Sequence, residues 1–154
     1  MRALNPEYVK VVCALATASP YFQLLSMKLL GFEIGACDVE IPIQNKHLQP
    51  FGVVHGGVLS SIIDAAAFWA VFPEIDEDQG MTSVDLKVNY LAPAMTGLLI
   101  AKGKRIKVGR TLSLGEATVT DEKGRILAYG SSTLITLPSS NLQSDATAPH
   151  KFLI

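Results

Sequence analysis

The spacing of hydrophobic residues changes twice along this chain. Helical spacing predicts a helix over residues 6–18 and a second, shorter helix over residues 20–29, which Gly31 ends. After that glycine the period becomes two, which predicts a strand with one face in water. A loop follows over residues 44–54. The alternating apolar residues of the strand are Val39, Ile41 and Ile43.

The longest apolar run extends from Gly56 to Phe72 and contains one charged residue, Asp64. Its length favours a helix over a strand, and Pro73 ends it. The run is short for a membrane span and carries the carboxylate near its middle. The N-terminus also lacks the apolar core of a signal peptide. We therefore expect a buried helix in a soluble, cytoplasmic protein with no membrane partner.

Four consecutive strands are predicted after this helix, with turn signals at residues 108–110 and 121–124. In the first strand, simple alternation places Ser83 and Asp85 on one face and Tyr90 on the other. The four segments are TSVDLKVNYLAP, LLIAKGKRIKVG, TLSLGEATVTD and RILAYGSSTLITL.

This order of elements predicts an α+β fold, in which a curved antiparallel sheet of five to six strands wraps one long helix. The predicted helix is apolar nearly all round, so a second subunit is expected to cover part of it. We divide the chain into an N-terminal helical segment over residues 1–30, a main domain over residues 31–137 and a mobile tail over residues 138–154. The final KFLI of that tail could dock on the domain surface.

Composition excludes several classes of function. The 154 residues carry a formal net charge of −1, which gives no reason to expect a nucleic acid partner. Cys13 and Cys37 form no C-x-x-C motif, so neither a metal site nor a redox site is predicted. No nucleotide-binding glycine motif, nucleophile elbow or zinc-protease motif occurs in the sequence.

Asp64 is the leading candidate for chemistry. A carboxylate in an apolar helix is costly unless it is paired. No Lys or Arg occurs between Lys46 and Lys87, so the local sequence offers no cation. A functional carboxylate is favoured, and the alternative is a structural aspartate paired from elsewhere in the chain.

The start of the same helix is the second candidate. The first amides of a helix have no internal partner, and Gly56 and Gly57 would let another group approach them, as an oxyanion does. The alternative is a tight entry from loop to helix. A supporting, orienting role is favoured for His55 over proton transfer. Gln49 and Ser83 could each hold a carbonyl or a water, or could simply be solvated.

Five cations lie within nine residues, on and just after the second of the four predicted strands: Lys102, Lys104, Arg105, Lys107 and Arg110. Two interpretations remain open. Charge can protect an exposed edge strand from aggregation, and it can also bind the phosphates of a ligand.

Taken together, the motif QPFGVVHGGVLSSIIDAA and the downstream segments TSVDLKVNYLAPAMTG, KVGRTLS and DEKGRILAYGSSTLI resemble the hotdog-fold acyl-CoA thioesterases. The branch holds phenylacetate-degradation thioesterases, thioesterase superfamily member 2 and one class of 4-hydroxybenzoyl-CoA thioesterases. The resemblance covers about residues 20–137. It implies the hotdog fold, hydrolysis of acyl-CoA to a free acid and CoA, and no cofactor or metal beyond the CoA of the substrate.

The resemblance also implies roles for individual residues. Asp64 corresponds to the catalytic nucleophile or general base, and Gly56 to the glycine whose amide polarises the thioester carbonyl. His55 corresponds to a supporting residue, whereas Gln49 and Ser83 correspond to residues that contact the carbonyl or the water. Positions for substrate and CoA binding are Gly57, Asp85, Tyr90, Leu91, Pro93, Lys107, Gly109 and Arg110.

In such enzymes the site lies between two subunits, so the resemblance implies a homodimer or homotetramer. Gly56, His55 and Gln49 would come from one subunit, and Asp64 and Ser83 from the other. Helix geometry agrees, because nine residues separate His55 from Asp64, about 13 Å along a helix axis.

Three rival functions remain: a hotdog hydratase or dehydratase, a non-catalytic acyl-CoA binding module, and a purely structural dimerising domain. The acyl group stays open, because Phe68, Trp69 and Phe72 fit an acyl pocket and a packed core equally well.

Overall fold

The computed structural model describes residues 2–139 and 148–153, which form three helices and six strands. The long apolar run is a helix and the four segments after it are strands, as predicted. In chain order the elements are α1 (Pro6–Ala18), α2 (Pro20–Leu25), β1 (Lys28–Glu33), β2 (Ala36–Pro42), a 3₁₀ turn (Asn45–His47), α3 (Gly56–Val71), a second 3₁₀ turn (Phe72–Glu74), β3 (Gln79–Tyr90), β4 (Leu98–Val108), β5 (Leu112–Thr120) and β6 (Ile126–Pro138).

The six strands form one antiparallel sheet in the order β1-β2-β4-β5-β6-β3, and the sheet wraps α3. The side chains of α3 that face the sheet are buried, among them Ile62, Ile63 and Ala66, each with 0% exposure. A helix enclosed by a curved antiparallel sheet is the hotdog fold. The α+β fold class expected from the sequence is therefore confirmed.

The helix and the sheet approach each other closely because small residues meet at the contact. A Cβ atom at Gly103 would lie 2.1 Å from the carbonyl oxygen of Ala66, and one at Gly115 would lie 2.5 Å from that of Ala67. Both distances exclude any side chain. By length and composition alone the segment Gly56–Glu74 could cross a membrane, yet half of it is buried within the molecule.

The predicted second helix is wrong in its last residues. Helix α2 ends at Leu25, Ser26 adopts a left-handed conformation with φ 53°, and β1 begins at Lys28. The misassignment has a physical cause, because a serine, Ser26, adopts the left-handed conformation that ends the helix, whereas the sequence offers no glycine stop signal before Gly31. The proposed boundary between residues 30 and 31 consequently falls inside a strand.

The faces of β3 also differ from simple alternation. A bulge lies between Ser83, which pairs with Leu134, and Asp85, which pairs with Thr133. One extra residue reverses the alternation beyond it. Ser83 therefore shares the helix-facing side with Leu86 and Tyr90, whereas the prediction grouped it with Asp85.

The C-terminal segment over residues 148–153 contacts the start of the chain and the end of α3. Phe152 forms a β-bridge with Leu4. The ammonium of Lys151, 1% exposed, donates to the carbonyl oxygens of Phe72 (2.6 Å) and Ile75 (2.8 Å). Burial lowers its pKa to about 8. The remainder of the predicted mobile tail, residues 140–147 and 154, lies outside the described residues, so the mobility of the tail stays a prediction.

Candidate active site

Asp64 is held by two serine hydroxyls that come from neighbouring strands. Its Oδ1 atom accepts hydrogen bonds from Oγ of Ser83 on β3 (2.7 Å) and from Oγ of Ser132 on β6 (2.8 Å). Ser132 is completely buried, whereas Asp64 is half-buried. The carboxylate is thus oriented by neutral donors of its own chain, and both bonds end on Oδ1. Among the described residues no side chain bonds to the second oxygen, Oδ2, which can accept a hydrogen bond from a water or a substrate.

Ser132 was missed in the sequence analysis. The strand register places it opposite Leu86 on β3, and its side chain points to α3, where it bonds to Asp64. A local signal does exist. The inward-facing positions of β6 include Ala128, Gly130 and Leu134, and Ser132 is the hydroxyl among them. A polar side chain on a buried face needs a partner, which is the clue that alternation alone offers.

The carboxylate opens into a groove of about 400 Å³ that runs along α3. The floor is the helix stripe from Ser60 to Trp69. Ser83 and Leu86 of β3 form one wall. The other wall comes from the N-terminal helical segment, through Tyr21, Phe22 and Met27. Phe68 and Trp69 line the groove while also packing on each other, so both the acyl-pocket and the core interpretation stay open for them.

His55 is the N-cap of α3. Its Nδ1 atom accepts a hydrogen bond from the amide of Gly57 at 2.7 Å, and its own amide donates to the carbonyl of the buried His47. This bond satisfies one of the amides that a helix start leaves without a partner. Gly57, expected to bind substrate, therefore has its amide occupied within the chain, while His55 orients the helix start.

Gly56 and Tyr90 lie against each other at the same end of α3. A Cβ atom on Gly56 would be 3.1 Å from the Tyr90 ring, whose hydroxyl is hydrogen-bonded to Ser60 at 2.6 Å. The neighbouring Leu91 is 59% exposed, and the carbonyl of Pro93 accepts a hydrogen bond from Arg125 (2.7 Å).

Gln49 belongs to a tight turn that leads into His55. Its side-chain oxygen accepts a hydrogen bond from the amide of Phe51, and a bridge between Leu48 and Val54 closes the turn. Gln49, His55 and Gly56 therefore meet at the start of α3. Asp64 lies two turns further on, about 12 Å along the axis from Gly56. Within one chain the two halves of the predicted site do not meet.

The predicted CoA-binding cations lie at the opposite end of α3. Lys107, Gly109 and Arg110 belong to the β4–β5 hairpin, where Val108 packs near Phe72. Lys107 and Arg110 are exposed and do not line the groove. Asp85, another predicted binding residue, lies on the outer face of β3. Of the other three cations, Lys102 pairs with Asp38 (2.9 Å) and Arg105 with Glu74 (2.7 Å).

The fold and the oriented carboxylate define a class, and comparison with known proteins identifies it. The family model of the thioesterase superfamily matches residues 51–128, half of the chain, so the chain belongs to this superfamily. The matched segment begins just before the helix cap and includes Asp64 and Ser83. The chain is a thioester hydrolase.

Individual relatives agree with this assignment. The chain is 27% identical to a 1,4-dihydroxy-2-naphthoyl-CoA hydrolase of Listeria monocytogenes, over 73% of this chain and 91% of the relative. It is 24% identical to acyl-coenzyme A thioesterase 13 of Pongo abelii, over 86% and 96%. A solved thioesterase structure from Haemophilus influenzae has a TM-score of 0.79 at 20% identity, covering 90% of this chain and 96% of that chain, and shows the shared fold.

Proposed function

We propose that the protein hydrolyses acyl-CoA thioesters, with Asp64 as the reacting carboxylate. The observation that carries this proposal is the pair of hydroxyls from Ser83 and Ser132 that fix Oδ1 of Asp64 at the edge of an apolar groove. A carboxylate with one oxygen held and the other free is suited to attack or to remove a proton.

Two routes use this arrangement. In the first, Oδ2 of Asp64 attacks the thioester carbon, CoA leaves as a thiolate and water hydrolyses the resulting anhydride. In the second, Oδ2 removes a proton from water, which attacks the carbon directly. Ser83 already donates its proton to Asp64, so its oxygen can only accept a hydrogen bond from that water. In both routes a thiolate leaves without a strong acid.

The oxyanion requires a free amide donor, and the start of α3 offers one that lies about 12 Å along the helix axis from Asp64 of the same chain. The amide of Gly56 suits this role, because that of Gly57 is bonded to His55. We propose that two copies pair along β3, the sheet edge. A two-fold axis there makes the two α3 helices antiparallel, which brings the partner's Gly56 towards Asp64. The exposed apolar side chains Val84 (54%) and Leu91 (59%) support this interface. Pairing of such dimers into tetramers remains a prediction.

The same antiparallel arrangement supports a location for the CoA phosphates. Lys107 and Arg110 lie at the C-terminal end of α3, the end that a partner's helix start would approach. We propose that they bind the phosphates there, with Gly109 in the turn between them. CoA is the only non-protein group that this chemistry requires.

The rival functions have less support. A hydratase needs a histidine base, yet Nδ1 of His55 already accepts a hydrogen bond from the Gly57 amide.

The buried thiol of Cys37 is unsuited to nucleophilic attack, because burial raises its pKa to about 12. Free Cys13 and Cys37 are compatible with a cytoplasmic location, which we also propose.

The decisive experiment is hydrolysis of an acyl-CoA panel by Asp64→Asn. We expect kcat to fall about a hundredfold or more with the melting temperature retained. Asp38→Asn, which changes a carboxylate of an exposed ion pair, is the matched control. A folded Asp64→Asn enzyme with wild-type rates contradicts the proposal. Label found in Asp64 after a single turnover in ¹⁸O water identifies the nucleophilic route, because water that attacks the Asp64 carbonyl of the anhydride leaves its oxygen there.

A further inference from the structure

Tyr21 lines the groove and is the first member of a hydrogen-bond chain in which each donor can be assigned. Its hydroxyl lies 2.6 Å from Oγ of Ser61 on α3. Ser61 has one proton, which it donates to the carbonyl of Gly57 at 2.8 Å. Tyr21 must therefore be the donor to Ser61. The phenol oxygen keeps its lone pairs, so towards the groove it acts as an acceptor.

The side of the groove that Tyr21 borders suits the acyl group. Asp64 and Ser83 lie on the β3 side, where the proposed partner subunit approaches. Tyr21, Phe22 and Met27 form the opposite wall, above Ala65 of the floor. None of the described residues that line the groove is a Lys or Arg, and Asp64 would repel phosphate. The CoA arm therefore leaves by another path, and the acyl group lies towards the N-terminal wall.

We propose that Tyr21 is a specificity-determining residue, which selects compact apolar acyl groups that carry a hydroxyl or another hydrogen-bond donor. This inference rests on the proposed acyl-CoA hydrolysis. A donor on the acyl group bonds to the free lone pairs of Tyr21, while its apolar body packs on Phe22, Met27 and Ala65. An acyl group with a second carboxylate is disfavoured, because it meets an acceptor at Tyr21 and a negative charge at Asp64.

The test compares kcat/KM for substrate pairs that differ by one hydroxyl. Suitable pairs are benzoyl-CoA with its ortho-, meta- and para-hydroxy isomers, and hexanoyl-CoA with its terminally hydroxylated analogue. We expect the wild type to prefer at least one hydroxylated member. Tyr21→Phe should lower the ratio of kcat/KM for the hydroxylated over the plain substrate about three- to tenfold. The change should lie mainly in KM, because the bond forms in the ground state and the transition state alike.

Tyr129→Phe is the matched control, because this tyrosine bonds to Glu116 on the outer face of the sheet. It should leave the substrate ratio unchanged. Ser61→Ala, which leaves the Tyr21 proton free, should admit acceptor-bearing acyl groups that the wild type rejects.

The outcomes separate the two proposals. An Asp64-dependent enzyme with no hydroxyl preference, or with a preference that Tyr21→Phe preserves, overturns the role of Tyr21 alone. An equal loss on both members of each pair shows that Tyr21 is merely structural and also overturns that role. Failure of the wild type to hydrolyse any thioester overturns both proposals.

Discussion

Ser132 donates a hydrogen bond of 2.8 Å to Asp64 from a side chain with no exposed surface. The bond connects the last strand of the sheet to the middle of the central helix. A buried hydroxyl with one acceptor has little freedom to rotate, so it holds the carboxylate in one orientation.

We expect Ser132→Ala to lower kcat about tenfold with a smaller change in KM, because the carboxylate loses one of two donors that orient it. Steady-state kinetics on the preferred substrate measures this. Ser131→Ala, on the opposite face of the same strand, is the matched control and should keep both constants. Wild-type kcat in Ser132→Ala would mean that Ser83 alone orients Asp64.

A mixture of two inactive variants should recover activity if the site is shared between subunits. Gly56→Pro removes the amide yet suits the first helical position, because His55 already has the φ −62°, ψ 137° that a residue before proline prefers. Mixed with Asp64→Asn, it should restore about a quarter of wild-type activity through heterodimers with one complete site each.

Gly56→Ala is the control for this experiment, because it adds a Cβ near Tyr90 but keeps the amide. It should retain more activity than Gly56→Pro. Absence of recovery after the subunits are unfolded together and refolded would contradict a shared site.

His55 acts as a cap in the structure, so a side chain that can cap should replace it. His55→Ala should lower the free energy of unfolding by about 1 kcal/mol and reduce kcat, because the amide of Gly57 loses its acceptor. His55→Asn should recover most of both losses. Urea unfolding and kinetics on the two variants measure this, and an inactive but fully stable His55→Asn would instead indicate proton transfer.

The stability of the protein should rise with pH above neutrality because of Lys151. Its pKa is about 8 in the folded protein and 10.5 in the reference state, so the unfolded chain binds more protons between these values. The free energy of unfolding should therefore rise by about 2 kcal/mol between pH 7.5 and 9.5.

Urea midpoints at the two pH values measure this rise, and Lys151→Met should remove it. Arg2, Asp76 and Glu77 are the charged groups that act on Lys151. The same pH slope in wild type and Lys151→Met would show that the ammonium is not buried against Phe72.

The local pattern predicted much of the fold. Period-two alternation in β2 and the later strands, and the apolar run of α3, follow from which faces must leave water. Of the site, Asp64, Gly56, His55, Gln49 and Ser83 were identified as candidates. The structure shows that two serines bond to Asp64 and that His55 caps α3, whereas the roles of these residues in catalysis remain proposals.

Local residue patterns specify the helix start at the H-G-G motif, the solitary carboxylate two turns later and the hairpin turns. Long-range packing brings Ser132 to Asp64, turns Ser83 towards the helix and places Tyr21 beside the groove. These contacts depend on strand register, on a bulge in β3 and on how the N-terminal segment docks. Such features arise from packing between residues far apart in the chain, so no local period encodes them.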